Sequence, residues 1–280
     1  MKKIIFSILF LLSVSYVYSQ SFNILSTVYD SITKKPVSEA YIYFEGTSVY
    51  TISDEQGKFE LTVDRIYNSP LVISHVAYDV IKIINPYLNF PKNFYLNEKD
   101  EVLDEAVVYS EIFSRGEKLE AFRKNFLGEN GAGRSCQILN EDDIEIFYNP
   151  ETRILSSSSD KFIIVDNSFL GYKIVLKLID FKAEYKKTNV NHSIKQSDMI
   201  ISAFTVSAFF IDEGRNKRKY KRRRNIIYDT SFKKFMKLFA VKNLRDYTIY
   251  DNMLNVNPYE LITITDTLSM KKVIINPKLE

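Results

Sequence analysis

The sequence predicts a mainly β protein, a seven-strand sandwich followed by a β-rich α+β region with about two helices. Three observations predict it. Residues 21 to 98 break into about seven short runs rich in β-branched and aromatic residues, each bounded by turn residues. The chain has 19 tyrosines and 20 phenylalanines against only 8 glycines, a balance that suits packed sheets more than flexible linkers. Only two segments, near 115 to 127 and after 230, show apolar residues at helical spacing.

The N-terminus sets the compartment. Lys2 and Lys3 precede an apolar run from Ile4 to Val17, and Ser19 stands before Gln20. That run is shorter than the about 20 residues needed to cross a bilayer, and its flanks are those of a cleaved signal peptide over residues 1–19. No cysteine closes the run, so the lipid-anchored route lacks its attachment point. The expectation is an exported, unacylated chain, periplasmic or associated with the outer membrane. The formal charge is +3, and removal of Lys2 and Lys3 leaves +1, so net charge argues for neither nucleic acid nor a membrane. Cys136 is the sole cysteine, which rules out an intrachain disulfide and suits a small buried hydrophobe. About 260 mature residues suggest two domains.

The first domain spans 21–98. Phe22 to Tyr29 opens it, and Asp30 to Pro36 follows as a turn that the proline keeps from becoming a helix. Ala40 to Phe44 alternates, Gly46 interrupts, and Ser48 to Ile52 resumes. Asp54-Glu55-Gln56-Gly57 is a turn in which Gly57 can take positive φ. Phe59, Leu61 and Val63 share one face of the next strand. Leu71 to Ser74, Tyr78 to Ile84 and Phe94 to Leu96 complete the set.

The residues of this stretch carry a resemblance. Val28-Tyr29-Asp30, Lys35-Pro36-Val37 with Ala40, Gly46-Thr47-Ser48 and Thr51 to Phe59 resemble the carboxypeptidase-like regulatory domain. That module is a transthyretin/Ig-like sandwich found at the start of many exported Bacteroidetes proteins. Leu71 to Tyr78 is similar to its LxISxxGY strand pair, with Ala77 where glycine is usual. The resemblance implies a fold and an accessory role, and no reaction. Val102 to Tyr109 is similar to the LDEVVV segment that ends the module in outer-membrane receptors. The remaining chain is too short for a plug and barrel, so a transporter is rejected.

Beyond a linker at 99–112, a β-rich domain of unknown function is expected over 113–280. Ser114 and Glu117 form a capping box for a helix with Leu119, Phe122 and Phe126 on one face and Gly128 at its end. Strands follow at Ile144 to Tyr148, Arg153 to Ser156, Phe162 to Val165, Tyr172 to Tyr185 and Ile200 to Ile211. In the run from Tyr172, the alternation with Lys173 and Lys177 predicts one partly wet face. Thr230 or Ser231 can cap a short helix carrying Phe232, Phe235, Met236 and Phe239, and late strands are expected at Tyr259 to Thr265 and Lys272 to Ile275. Phe122 to Gly128 with Cys136 to Asn140, then Asp166 to Ile174, then Arg224, Tyr228, Ser231 and Phe235 resemble runs in other exported Bacteroidetes proteins. There Lys234 stands where a histidine is usual and Thr230 where a glycine is. The resemblance supplies no catalytic residues.

No catalytic residue, cofactor or metal is expected. The only histidines, His75 and His192, lack the local acidic partner that a zinc carboxypeptidase needs. His75 falls in the expected strand pair as a core or edge histidine. No nucleophile elbow, phosphate loop or dinucleotide fingerprint is present. The sharpest signal is a run with eight basic residues in ten: Arg215, Lys217, Arg218, Lys219, Lys221, Arg222, Arg223 and Arg224. It is either a solvated face or an anion-binding surface. Anionic lipid or polysaccharide suits an exported chain, and nucleic acid is disfavoured because Tyr220 is the one aromatic available for stacking. A second candidate surface is the loop Asp54, Glu55, Gln56, Gly57, Lys58, with Asp30 to Lys35 beside it. The expected function is a non-catalytic envelope binding or accessory protein whose partner is a protein or glycan. One alternative is a hydrolase of an envelope polymer using Glu141, Asp142, Asp143 and Glu145, although a cap or solvated turn explains those carboxylates equally well. Nucleic-acid binding through the basic run is the third reading.

Overall fold

The computed structural model of the chain describes residues 21–99, 112–129, 131–186, 194–214 and 217–231. Beyond these it describes 234, 237–238 and four strand segments between 249 and 275. The expected signal peptide, most of the expected linker, His192 and Arg215 lie outside the described residues. The chain forms two compact units, 1–214 and 215–280.

The fold is mainly β, and the first seven strands build the expected sandwich. They are β1 (Phe22–Asp30), β2 (Tyr41–Phe44), β3 (Tyr50–Ile52), β4 (Lys58–Val63), β5 (Leu71–Ser74), β6 (Ile81–Ile83) and β7 (Asn93–Leu96). One sheet runs β4-β1-β7, with β1 antiparallel to β4 and parallel to β7. The other runs β3-β2-β5-β6. In β4 the alternation works as read: Phe59, Leu61 and Val63 are buried while Lys58, Glu60 and Thr62 face water.

β2 and β5 do not alternate. Leu71 to Ser74 are all buried, and so are Ile42, Tyr43 and Phe44. Both faces of this sheet are covered, as an unbroken apolar run requires. Ile42, Phe44, Leu71 and Ile73 enter the sandwich core, while Tyr43 and Val72 point the other way to meet Val175 and Phe209. Those two residues belong to a third sheet.

That third sheet contains β8 (Cys136–Ile138), β9 (Glu145–Asn149), β10 (Ile154–Ser158), β11 (Ile163–Asn167), β12 (Tyr172–Tyr185) and β13 (Met199–Asp212). The order is β8-β11-β12-β10-β9, with β13 along β12. A register shift between Leu178 and Asp180 lets Ile179 bulge out. The bulge changes the parity of β12: Leu176 and Leu178 before it, and Phe181, Ala183 and Tyr185 after it, all join one core. Helix α1 (Arg115–Leu127) covers that core, with Phe122 stacked on Phe126 at 4.9 Å and set edge-on to Phe181 at 4.7 Å. Its capping box is formed as expected between Ser114 and Glu117, and Gly128 ends it at φ 79°. The first unit is therefore a stack of three sheets with a helix on the outside.

The expectation of a wet face on β12 is corrected here. Lys177 is only 8 % exposed, because the sandwich lies over that face. Its ammonium donates to the carbonyls of His75 and Tyr78, each at 3.1 Å. The same joint holds the Tyr43 hydroxyl 2.7 Å from the Ser207 hydroxyl. It also packs Phe209 against Tyr50, Tyr43 and Tyr41, with ring centres 4.6, 4.8 and 5.2 Å away. At its far end the Gly46 amide donates to Ala208 O and the Phe210 amide to Thr47 O, which ties the β2–β3 turn to the outer edge of β13.

Among the described residues, the second unit has helix α2 (Lys217–Asp229) and the hairpins of β14 (Ile249–Asp251) with β15 (Leu254–Val256) and of β16 (Ile262–Asp266) with β17 (Lys271–Ile275). The last hairpin falls on the expected late strands. The backbone is helical at Lys234, Lys237 and Leu238, whereas the expected stripe of Phe232, Phe235, Met236 and Phe239 lies outside the described residues.

Candidate functional site

One end of the sandwich gathers two turns that the sequence singled out. Asp30 closes the first. Its Oδ1 accepts from the amide of Ile32 at 2.9 Å, from the amide of Thr33, and from the Thr33 hydroxyl at 2.8 Å. Those bonds, the Thr33 amide foremost, hold its carboxyl below the usual range. Asp54 closes the second by the same device, accepting from the amides of Gln56 at 2.9 Å and Lys58 at 2.8 Å.

Val28 on β1 links the two turns: its amide donates to Gly57 O at 2.8 Å, and its carbonyl accepts from Val37 at 2.9 Å. Gly57 has φ +71°, and a Cβ there would lie 2.3 Å from Val28 O. Only glycine permits this approach. The result is a rigid end that leaves Ile32, Thr33, Lys35, Glu55, Gln56 and Lys58 exposed, with Ile32 at 78 %. Beside it lies a feature the sequence reading missed. Tyr29 and Tyr95 stack at 5.8 Å on the outer face of their sheet, and the Lys34 ammonium sits 4.6 Å from the Tyr95 ring. The parity of Tyr29 against buried Val28 and Asp30 was the available signal. The pairing of β1 with β7, which brings Tyr95 opposite Tyr29, was not readable.

The basic run is helical from Lys217. Arg218, Lys219, Lys221 and Arg222 are exposed, and Tyr220, Arg223, Arg224 and Ile227 are half-buried. Arg224 lies 5.8 Å from the Tyr220 ring.

The four clustered carboxylates do not converge as a catalytic pair. Glu141 grips Arg123 with both oxygens, and Asp143 binds Lys161 at 2.7 Å and the Asn140 amide at 2.9 Å. Lys161 foremost holds the Asp143 carboxyl below its ordinary range, the opposite of an acid kept protonated for catalysis. Asp142 and Glu145 are exposed. Residues 141 to 143 form a 3-10 turn that anchors α1 to the third sheet through Arg115 and Arg123.

Cys136 is half-buried, its thiol donating to Ala132 O at 3.4 Å and accepting from Asn167 at 3.2 Å, and burial pushes it up. His75 lies just past β5, where its Nδ1 accepts from the Ala77 amide at 3.1 Å. Burial, with repulsion from Lys177, lowers its pKa. Among the described residues no three His, Cys, Asp or Glu side chains converge on one point.

No curated protein and no solved structure matches the chain. The family model of the CarboxypepD_reg-like domain matches residues 26–108, which takes in the sandwich from the middle of β1 onward. The first folded element of this chain is therefore similar to that domain, a β-sandwich module.

Proposed function

We propose that this protein is a non-catalytic binding or accessory component of the cell envelope, and that the turn end of its sandwich meets a protein or glycan there. The observation that carries this reading is the rigid pair of turns at Asp30 and Asp54. Each carboxylate is spent on its own backbone, which fixes the loop, while Ile32, Glu55 and Gln56 project into solvent. A loop already held in one conformation loses less freedom when a partner binds, so its affinity is higher for the same contacts. The basic start and short apolar run expected to be a leader at 1–19 support the compartment, and the similarity of residues 26–108 to a β-sandwich module supports the role.

Photo-crosslinking in the native host tests it. A crosslinking amino acid at Ile32 or Gln56 should capture an envelope component, and the same group at exposed Leu139 should not. Capture at Leu139 alone, or at none of the three, would overturn the reading.

A further inference from the structure

We propose that helix α2 seats the protein on the phosphate-bearing surface of an anionic phospholipid bilayer, through a face independent of the sandwich turns. At 3.6 residues per turn, Arg218, Lys219, Lys221, Arg222, Asn225, Ile226, Tyr228 and Asp229 fall within one half of the helix circumference. All eight are exposed, while Tyr220, Arg223, Arg224 and Ile227 fall within the other half and are half-buried. The exposed half carries four cations in its first two turns, then Ile226 at 53 % and Tyr228 at 37 % exposure.

This arrangement opposes the helix that carries it. No acidic residue occupies the first turn and no basic residue the last. Cations crowd the positive end of the helix dipole, where anions are favoured. Arg218 and Arg222, and Lys219 and Arg223, also stand four residues apart with like charge, which weakens a helix. A plane of phosphates beside the first two turns relieves both effects at once. Each exposed cation gains attraction from a negatively charged membrane, and the gain fades within a Debye length.

Ile226 and Tyr228 decide the kind of anion. A soluble polyanion offers an exposed isoleucine nothing, whereas a helix lying in the headgroup layer buries such a side chain and keeps a tyrosine at the interface. Among the described residues no helix is long and apolar enough to cross a bilayer, so the proposed contact is peripheral.

The test is co-sedimentation of the chain from Gln20 with phosphatidylcholine vesicles, with and without phosphatidylglycerol, beside retention on heparin as a soluble polyanion. Wild type should sediment with the anionic vesicles and be released by salt. Replacing Arg218, Lys221 and Arg222 together with Ser should reduce vesicle partitioning by about tenfold or more. Changing Ile226→Ser with Tyr228→Ser should weaken vesicle binding and leave heparin retention unchanged. Circular dichroism confirms that each variant is folded. Undiminished sedimentation of the triple variant, or equal binding to neutral vesicles, would overturn the proposal. So would heparin retention without vesicle binding, which would point to a polysaccharide or nucleic acid.

Discussion

The Lys177 ammonium, enclosed between the sandwich and the third sheet, should impose a pH dependence on folding that a single substitution removes. Desolvation first, with repulsion from Lys99 second, pushes Lys177 down from 10.5 to about 8. Asp79 and Asp160 pull the other way, as do the two carbonyls that accept its protons. Between pH 8 and 10.5 the unfolded chain holds this proton and the folded chain has released it, so stability rises with pH across that window. Below pH 8 both states are protonated, and the full penalty of burying the charge is felt. Each pH unit over which only the unfolded chain keeps the proton adds about 1.4 kcal/mol. The gain from neutral pH to about pH 9.5 is therefore about 2 kcal/mol.

Lys177→Met keeps the length and removes the titration. Urea unfolding, followed by circular dichroism near neutral pH and at about pH 9.5, compares the two chains. His75, whose pKa is lowered, acts only at lower pH. Tyr43, pushed up to about 12 chiefly by burial, acts with the opposite sign at higher pH, and Cys136, also raised, acts with that sign from about pH 9 upward, in both chains alike. Tyr43 and Cys136 remain in the variant, and His75, though relieved of the Lys177 charge, titrates below the range compared, so the difference isolates Lys177. Wild type should gain about 2 kcal/mol on the variant as pH rises. Parallel pH profiles would mean that Lys177 stays charged throughout, held by its two carbonyls, and would refute the reasoning.

Two further substitutions probe the same unit. Gly57→Ala forces a side chain onto Val28 O at positive φ, and thermal melting should show a loss of about 2 kcal/mol or more. An unchanged melting temperature would mean that the turn relaxes freely. Phe209→Ala empties a site enclosed by Tyr41, Tyr43 and Tyr50 and should cost about 3–5 kcal/mol. A loss under about 1 kcal/mol would show that the joint between sandwich and third sheet contributes little.

Local order was readable in the sequence and long-range covering was not. The strand at Tyr172 to Tyr185, the capping box at Ser114 and the turn at Gly57 each follow from neighbouring residues, and each stands where expected. The burial of Lys177 depends on a surface about a hundred residues earlier in the chain, so alternation within β12 read as a wet face. A signal for the stacking did exist. Tyr41 to Phe44 and Leu71 to Ile73 are unbroken apolar runs, unlike the alternating Phe59 to Val63, and such runs belong to a sheet covered on both sides. β8, at Cys136 to Ile138, was missed because three residues offer no periodicity. Of the candidate surfaces, the turns at Asp30 and Asp54 were legible because Asp and Gly act on their own backbone. The Tyr29–Tyr95 pair was not, since it is made by a parallel strand pairing across 66 residues.

The Gly46–Thr47 turn and the Asp54–Lys58 turn flank the same short strand, β3, and carry opposite obligations. The first has its backbone committed to Ala208 and Phe210 on the edge of β13, so a residue inserted there would pull the first unit apart at its joint. Among the described residues, the second engages its own sandwich. Sequence drift at the Asp30 and Asp54 end should therefore fall on the exposed positions Ile32, Glu55 and Gln56, while Asp30, Asp54 and Gly57 hold the turns and the Gly46–Thr47 turn holds the joint. Among the described residues, that rim pairs a fixed backbone with replaceable side chains, so new specificities can be tried there without disturbing the joint beneath it.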